Sequence, residues 1–391
     1  MSLLGSLVRG TVLRLTGTSL RAELAQVTRQ LDRLRNRLER AGEETGDLRK
    51  RLAANRRHAK SMQPDERVLE QVLPLRHAAI IASNHDGRAQ REAAFIARSV
   101  SYRDALAMIA PPPDPGSRIP PVRRSPQGEG GNRGADHVTA GGLSWCLPNL
   151  DEAGALTQRV VAGHRLPLDE ILEARELAVG RAMIDIGANV GTTSIPRVVL
   201  GDFACVYAAE PDPANYACLV RNIVDNQVRG LVLPDRVAIG DVDGEMTMRV
   251  QASGTHHLLT DASHTAEHER VAVPSLTLDT WIDRIGIDLS EVSFIKSDTQ
   301  GWDARVLAGA PRVLEHKHIA WQIEFSPAML QRAGWTPEQV YQLLHRHFTH
   351  FIDLRGQDGV RARRTSALHE ALAYVVRGER RYTNVLLYTS A

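Results

Sequence analysis

The sequence is short of cysteine, aromatic residues, net charge and long apolar runs, and each shortage removes a class of protein. Three cysteines, Cys146, Cys205 and Cys218, stand far apart among 391 residues. An odd number at such spacings in so long a chain argues against a disulfide-stapled scaffold and reads as reduced packing residues. Lysine and arginine outnumber aspartate and glutamate by only two, 48 against 46, so no whole-molecule field selects a nucleic acid or an acidic partner. Aromatics make up 5% of the chain and form no ladder between basic residues, which argues against a nucleic-acid module. No uninterrupted apolar stretch approaches the ~18 residues of a membrane-spanning helix, and the start lacks a secretory apolar region with a small-residue cleavage site. A cytoplasmic protein with no transmembrane segment is expected. Leu3, Leu4, Leu7, Val8, Val12 and Leu15 among Arg9 and Arg14 suit either the basic first turn of a longer helix or peripheral contact with a membrane surface.

What is present divides the chain into four stretches. In residues 1–62 the apolar positions Leu20, Leu24, Val27, Leu31, Leu34 and Leu38 alternate by four and three, the heptad seam of a coiled coil, and point to a homo-oligomer, the alternative being a single amphipathic helix packed on the chain's own globular part. Residues 63–110 read as helical, with Pro74 breaking or kinking the pattern. Residues 111–140 begin with a run of Pro, Gly, Arg and Ser that buries too little apolar surface to order itself, so a linker is expected. From 141 to 391, β-branched runs alternate with helical ones. Strands are expected at Ala182–Ile186, Cys205–Ala209, Leu231–Ile239, Val292–Ser297, Ile319–Phe325, Phe348–Leu354 and Val385–Tyr388, with helices at Thr193–Leu200, Pro213–Asn226 and Pro337–His347. This is an α/β pattern: a mostly parallel sheet covered on both faces.

The run Met183-Ile184-Asp185-Ile186-Gly187-Ala188-Asn189-Val190-Gly191-Thr192-Thr193-Ser194 reads as a buried strand, a glycine turn and a helix start. Gly187 and Gly191 let the backbone turn tightly and approach a ligand, and Thr192 to Ser194 are placed to satisfy first-turn amides. The second strand ends at Glu210, about the ~20 residues downstream at which a ribose-binding carboxylate is expected. A pyrophosphate wants G-x-G-x-x-G at a helix N-terminus free of negative charge. Here the spacing is G-x-x-x-G, and Asp185 stands two residues before the turn. That carboxylate repels pyrophosphate and suits the ammonium of a methionine moiety, which favours S-adenosylmethionine over a dinucleotide.

Five segments in order, DIGANVGTTS, EPDPANYACLVRNI, VAIGDVDGEM, VPSLTLDTWID and FIKSDTQGWDARVLAGAPRVLE, resemble the FkbM family of methyltransferases from about Leu166 to Gly334. The resemblance implies a class I, Rossmann-like methyltransferase with a mostly parallel seven-stranded sheet, S-adenosylmethionine as donor, and transfer to a hydroxyl of a sugar, glycan, glycolipid or related metabolite. It places Asp185, Gly187, Asn189 and Gly191 in the cofactor loop, makes Glu210 the ribose acid, and puts Asp241 near adenine, although Asp241 to Gly244 also spell an ordinary tight turn. Lys296 to Asp303 resemble the family's K-x-D-x-E-G-x-E signature, with Gln300 and Asp303 where glutamate is commoner. Within it, Asp298 is the catalytic candidate.

A hydroxyl acceptor must lose a proton as the new bond forms, so further bases are sought. His256 and His257 lie in an insertion after the third strand, either overhanging the pocket or in a solvated loop. Glu324 ends a strand and, as a buried carboxylate, has to be paired or functional. Trp302 and Trp321 suit an acceptor surface or the core, and His345, His347 and His350 a helix C-terminus. The histidines form no metal set, so no metal is expected. Three other readings stay open: a non-catalytic interaction protein that keeps the fold as a scaffold, a nicotinamide-dependent oxidoreductase, and methylation of nitrogen.

Overall fold

The structure is a computed structural model that describes residues 66–82, 87–108, 136–148, 180–249, 257–258, 270–356 and 361–390. The expected coiled coil, most of the expected linker, and His256 lie outside the described residues. Among the described residues, no helix is long and apolar enough to cross a membrane.

The first described elements are helical: α1 (Glu66–Ala82), α2 (Arg88–Arg98) and α3 (Val100–Met108). Pro74 lies inside α1, which continues through it rather than breaking there. Its ring packs against Gly142, where an added Cβ would come within 2.5 Å of it. Gly142 belongs to the turn of a hairpin, β1 (Asp136–Ala140) and β2 (Leu143–Leu147), so β1 takes up the end of the stretch read as linker.

The central sheet comprises β3 (Gly180–Ile186), β4 (Phe203–Ala209), β5 (Val232–Asp235), β10 (Val292–Ser297), β11 (Ala320–Phe325), β12 (His350–Asp353), β13 (Ala362–Arg364) and β14 (Thr383–Tyr388). Their order across the sheet is β13-β12-β14-β11-β10-β3-β4-β5. The five from β11 to β5 are parallel, while β14 pairs antiparallel with both β11 and β12. Seven of the strands are those read from the sequence. The eighth, β13, is a three-residue edge pairing with β12, too short for a periodic signal, and its Arg363 and Arg364 discourage further pairing.

Helices α4 (Ser194–Val199) and α5 (Pro213–Asp225) join the first three strands. Asp212 caps α5 by accepting from the Asn215 amide at 2.7 Å, and Pro213 opens the helix with its preset φ. From α5, two asparagines one turn apart hold the hairpin. Asn226 exchanges bonds with the Ser144 backbone, and Asn222 binds both backbone groups of Cys146 and also donates to the Val190 carbonyl at 2.8 Å. The hairpin is thereby tied to the turn that follows β3. On the outer side of β5, α2 and α3 cover the sheet edge. Asp235 accepts from Ser99 at 3.0 Å and from Trp281 at 2.8 Å, and it also binds Ser101 and Arg284.

After β5 the expected single strand Leu231–Ile239 splits at Arg236 and Val237. Its second part, β6 (Ala238–Gly240), leaves the central sheet for another, together with β7 (Gly244–Arg249), β8 (His257–Leu258) and β9 (Arg270–Thr277), in the order β6-β9-β7-β8. The insertion that carries the histidines is thus built in part on a sheet of its own. The chain then returns through α6 (Leu278–Ile285), capped by Thr277 and ended by Gly286 at φ 67°, to β10 on the far side of β3. The remaining helices are α7 (Asp303–Ala308), α8 (Pro327–Arg332), α9 (Pro337–His347), α10 (Leu368–Ala371) and α11 (Ala373–Val376). Thr336 and Gln339 form a reciprocal capping box at the start of α9.

One feature of this topology places the site. From β3 the chain winds outward to β4 and β5, then crosses to β10 and β11 on the other side. In open α/β sheets such a reversal of winding leaves a crevice at the carboxyl ends of the two strands, where ligands bind.

Candidate active site

That crevice lies between the ends of β3 and β10. Strand β3 is central, so Ala182 to Ile186 are buried on both faces, and Asp185, fully buried, is the charged residue among them. Its carboxylate is held on both oxygens. The Ser194 hydroxyl donates to Oδ2 at 2.6 Å, and the Lys296 ammonium lies 3.4 Å from Oδ1. Ser194 is therefore not spent on capping α4; Thr193, the residue at the cap position, makes no side-chain cap either.

The turn after β3 is shaped by its backbone. Gly187, Asn189 and Gly191 have φ of 78°, 53° and 92°, the left-handed region that glycine adopts freely and asparagine tolerates best among the others. The glycines serve packing more directly than ligand approach. A Cβ on Gly187 would stand 2.1 Å from the Asp298 carbonyl oxygen, and one on Gly191 would stand 2.8 Å from Leu219. The turn is joined to β4 where the Gly187 and Ala188 amides donate to the Ala209 carbonyl.

Glu210 follows β4 and faces the same turn. One carboxylate oxygen accepts from the Asn189 amide at 2.8 Å and the other from the Asp212 amide at 2.9 Å. Burial, with the neighbouring charge of Asp212, outweighs these bonds and pushes the carboxyl up to about 7. The Asn215 side chain adds a third bond, and the carboxylate keeps acceptor capacity beyond these donors.

On the other side of the crevice, Asp298 follows β10, and its amide donates to the Ile186 carbonyl at 3.0 Å. Its side chain is 34% exposed and stands 3.7 Å from Lys296, with the Gln300 amide nitrogen donating to it at 3.2 Å. Gln300 and Gly301 take φ of 56° and 95°, which turns the chain sharply into α7. Asp303, at the start of that helix, is buried. Its carboxylate accepts from the Ser297 hydroxyl at 2.6 Å, and desolvation, with Asp298 adding repulsion, raises it to about 7.

Glu324 is buried at the end of β11, in register with Asn384 of β14. Asp241 is paired with Arg305 of α7 at 2.7 Å. His257 lies in β8, whose backbone pairs with Arg249. Trp302 and Trp321 are core residues, 2% and 1% exposed, so they offer no acceptor surface; the Arg305 guanidinium covers Trp302 at 4.7 Å. His345 lies beside the Thr365 hydroxyl and His350 stacks on Tyr388. Among the described residues no group of His, Cys, Asp and Glu is arranged to hold a metal ion. The three cysteines are buried thiols, with the Cys146 and Cys218 sulfurs 3.4 Å apart.

Two residues of the cluster have partners that the sequence reading does not give. Lys296 lies inside the quoted signature, but its meaning depends on pairing with a strand more than a hundred residues earlier, where it stands opposite Asp185. Ser194 stands nine positions after Asp185, and only the turn between them brings its hydroxyl back.

Residues 185–350 match the family described as the methyltransferase FkbM domain. No curated protein matches the sequence. Among solved structures, methyltransferase FkbM from Methylobacillus flagellatus KT is 18% identical, with 54% of this chain and 44% of that one covered and a TM-score of 0.31. TYW2 of M. jannaschii in complex with AdoMet is 11% identical, with 66% and 85% covered and a TM-score of 0.29. The tRNA m1G37 methyltransferase of M. jannaschii is also 11% identical, with 67% and 57% covered and a TM-score of 0.32. The chain thus spans less than half the length of the M. flagellatus protein. The domain match falls on the Rossmann-like sheet and begins at Asp185, the acid that opens the crevice, so this chain carries an FkbM-family methyltransferase domain.

Proposed function

We propose that the protein transfers the methyl group of S-adenosylmethionine to a hydroxyl oxygen of a sugar, glycan, glycolipid or related small metabolite. The donor set supports the cofactor. Asp185 offers a carboxylate to the methionine ammonium, and Glu210, at the end of β4 beside the glycine turn, suits the ribose hydroxyls. When bound, the cofactor supplies an electrophilic methyl on a positively charged sulfur. This chain's residues contribute alignment, which is worth ~7–11 kcal/mol in well-oriented reactions, and removal of the acceptor proton.

The observation that carries the hydroxyl reading is Asp298. Its carboxylate is partly exposed after β10, next to the buried Asp185–Lys296 pair, and in this reading it receives the proton as oxygen takes the methyl group. The heptads of residues 1–62 add self-association to this reading, and light scattering of the full chain at the monomer mass would remove it.

The activity is tested by incubating the protein with methyl-labelled donor and separated glycan, lipid and protein fractions. Label is expected in a glycan, glycolipid or small-metabolite fraction, in a linkage stable to the hydrolysis that removes esters. Label on protein or on an amine would overturn the hydroxyl assignment. Calorimetry without detectable binding of the donor to well-folded protein would leave the scaffold reading in its place.

A further inference from the structure

Lys296 stands on β10 directly opposite Asp185 on β3. Its side chain is 8% exposed, with its ammonium 3.4 Å from Asp185 and 3.7 Å from Asp298. Burying an ammonium is costly, and the cost is offset only where opposite charges surround it. Here the surrounding charges are the acids read above as the cofactor and proton-accepting carboxylates. The cluster of two carboxylates and one ammonium has a formal charge of one negative; without the lysine it would have two.

This difference matters for a reaction that discharges a sulfonium. The donor carries one more positive charge than the demethylated product, and that charge fades as the methyl moves. Negative charge at the crevice therefore holds the donor more tightly than the transition state or the product. Attraction of that kind adds to binding of the ground state and slows the chemical step.

We propose that Lys296 is a specificity-determining residue that offsets the charge of Asp185 and Asp298, so that the acids hold the cofactor without over-binding its charged form. The inference rests on the S-adenosylmethionine reading given above. It is tested by calorimetry on the full chain with two probes, S-adenosylmethionine and S-adenosylhomocysteine, which differ by the methyl group and its charge.

In Lys296→Met, preference for the methylated probe over the demethylated one is expected to rise on the order of tenfold, the scale of one charge removed at short range in a partly screened site. Lys296→Arg, which keeps the charge, is expected to hold the wild-type ratio. Asp298→Asn, at a partly exposed position that tolerates the change, removes one negative charge and is expected to move the ratio a few-fold the other way. It keeps the idea testable even where the buried variant does not fold. A purely structural lysine would weaken both probes by the same factor, and an unchanged ratio in Lys296→Met or in Asp298→Asn would overturn the proposal. Wild-type protein that binds neither probe would overturn the cofactor reading itself, a result distinct from an unchanged ratio.

Discussion

The two sides of the crevice are built differently. On the β3–β4 side, the turn and Glu210 are held mainly by backbone groups, the Asn189 and Asp212 amides on Glu210 and the Ala209 carbonyl on Gly187 and Ala188, with the Asn222 and Asn215 side chains adding one bond each. On the β10–β11 side, the polar groups are held by other side chains: Lys296 by Asp185 and Asp298, Gln300 by Asp298, Asp303 by Ser297. A backbone cradle keeps its geometry while the surface around it varies, because backbone donors are present whatever the side chains. A side-chain network changes its chemistry with one substitution. The first arrangement suits the constant nucleoside part of a cofactor, and the second the reacting end, where the donor's charge and a variable acceptor meet.

That contrast is broken most directly at Asp298. Asp298→Asn keeps the shape of the lip but removes the proton acceptor, so label transfer is expected to fall by about 10²–10⁴-fold. Over the same change, the dissociation constant of S-adenosylmethionine should shift only a few-fold. A loss of cofactor binding as large as the loss of transfer would place Asp298 on the cofactor side and erase the division.

The next largest effect is expected from Gly187→Ala on the backbone side. The new Cβ meets the Asp298 carbonyl oxygen at 2.1 Å and sits at φ 78°, so the β3 and β10 ends have to separate. A loss of about 3 kcal/mol or more in unfolding stability follows from combined strain and overlap, read by denaturant titration. A near-neutral result would mean that the two halves are not locked together at this turn.

The same contrast explains what could be read from sequence. The strands from β3 to β5 and the turn between them were legible because a buried parallel strand is a continuous apolar run and Asp185, Gly187 and Gly191 interrupt it at fixed offsets. The extent of β5 was misread because Val237, Ala238 and Ile239 continue its apolar character, while the departure of β6 into a second sheet is decided by pairing with β9, far along the chain. The β10 side was legible as a motif but not as a network. Lys296 acquires meaning only from the register that sets it opposite Asp185, and Trp302 and Trp321 become core residues through packing that local pattern does not specify.

Two buried acids, one on each side, allow the finest test. Glu210 and Asp303 are both pushed up to about 7 chiefly by desolvation, but only Glu210 faces the proposed cofactor. An acid whose folded value is raised binds its proton more tightly when folded. Unfolded, it ionises in the ordinary carboxylate range, so stability is full below that range, falls as pH rises toward 7 and levels off above it. The total is at most about 3 kcal/mol for Glu210 and about 4 kcal/mol for Asp303. Without cofactor, the protein is therefore expected to melt at a lower temperature at pH 8 than at pH 5. Glu210→Gln and Asp303→Asn should each recover part of that loss, about 1–2 kcal/mol, the neutral amide avoiding the cost of a buried charge. They should part company when S-adenosylhomocysteine is added. Asp303→Asn should keep the ligand-induced rise in melting temperature. Glu210→Gln should lose most of it, since an amide offers the ribose one acceptor oxygen where the carboxylate offers two. In wild-type protein, affinity for the same ligand should weaken as pH falls through about 7, while Glu210→Gln shows a flat profile. Equal ligand responses in the two variants would mean that the acid after β4 is structural, and the backbone cradle would then hold no cofactor.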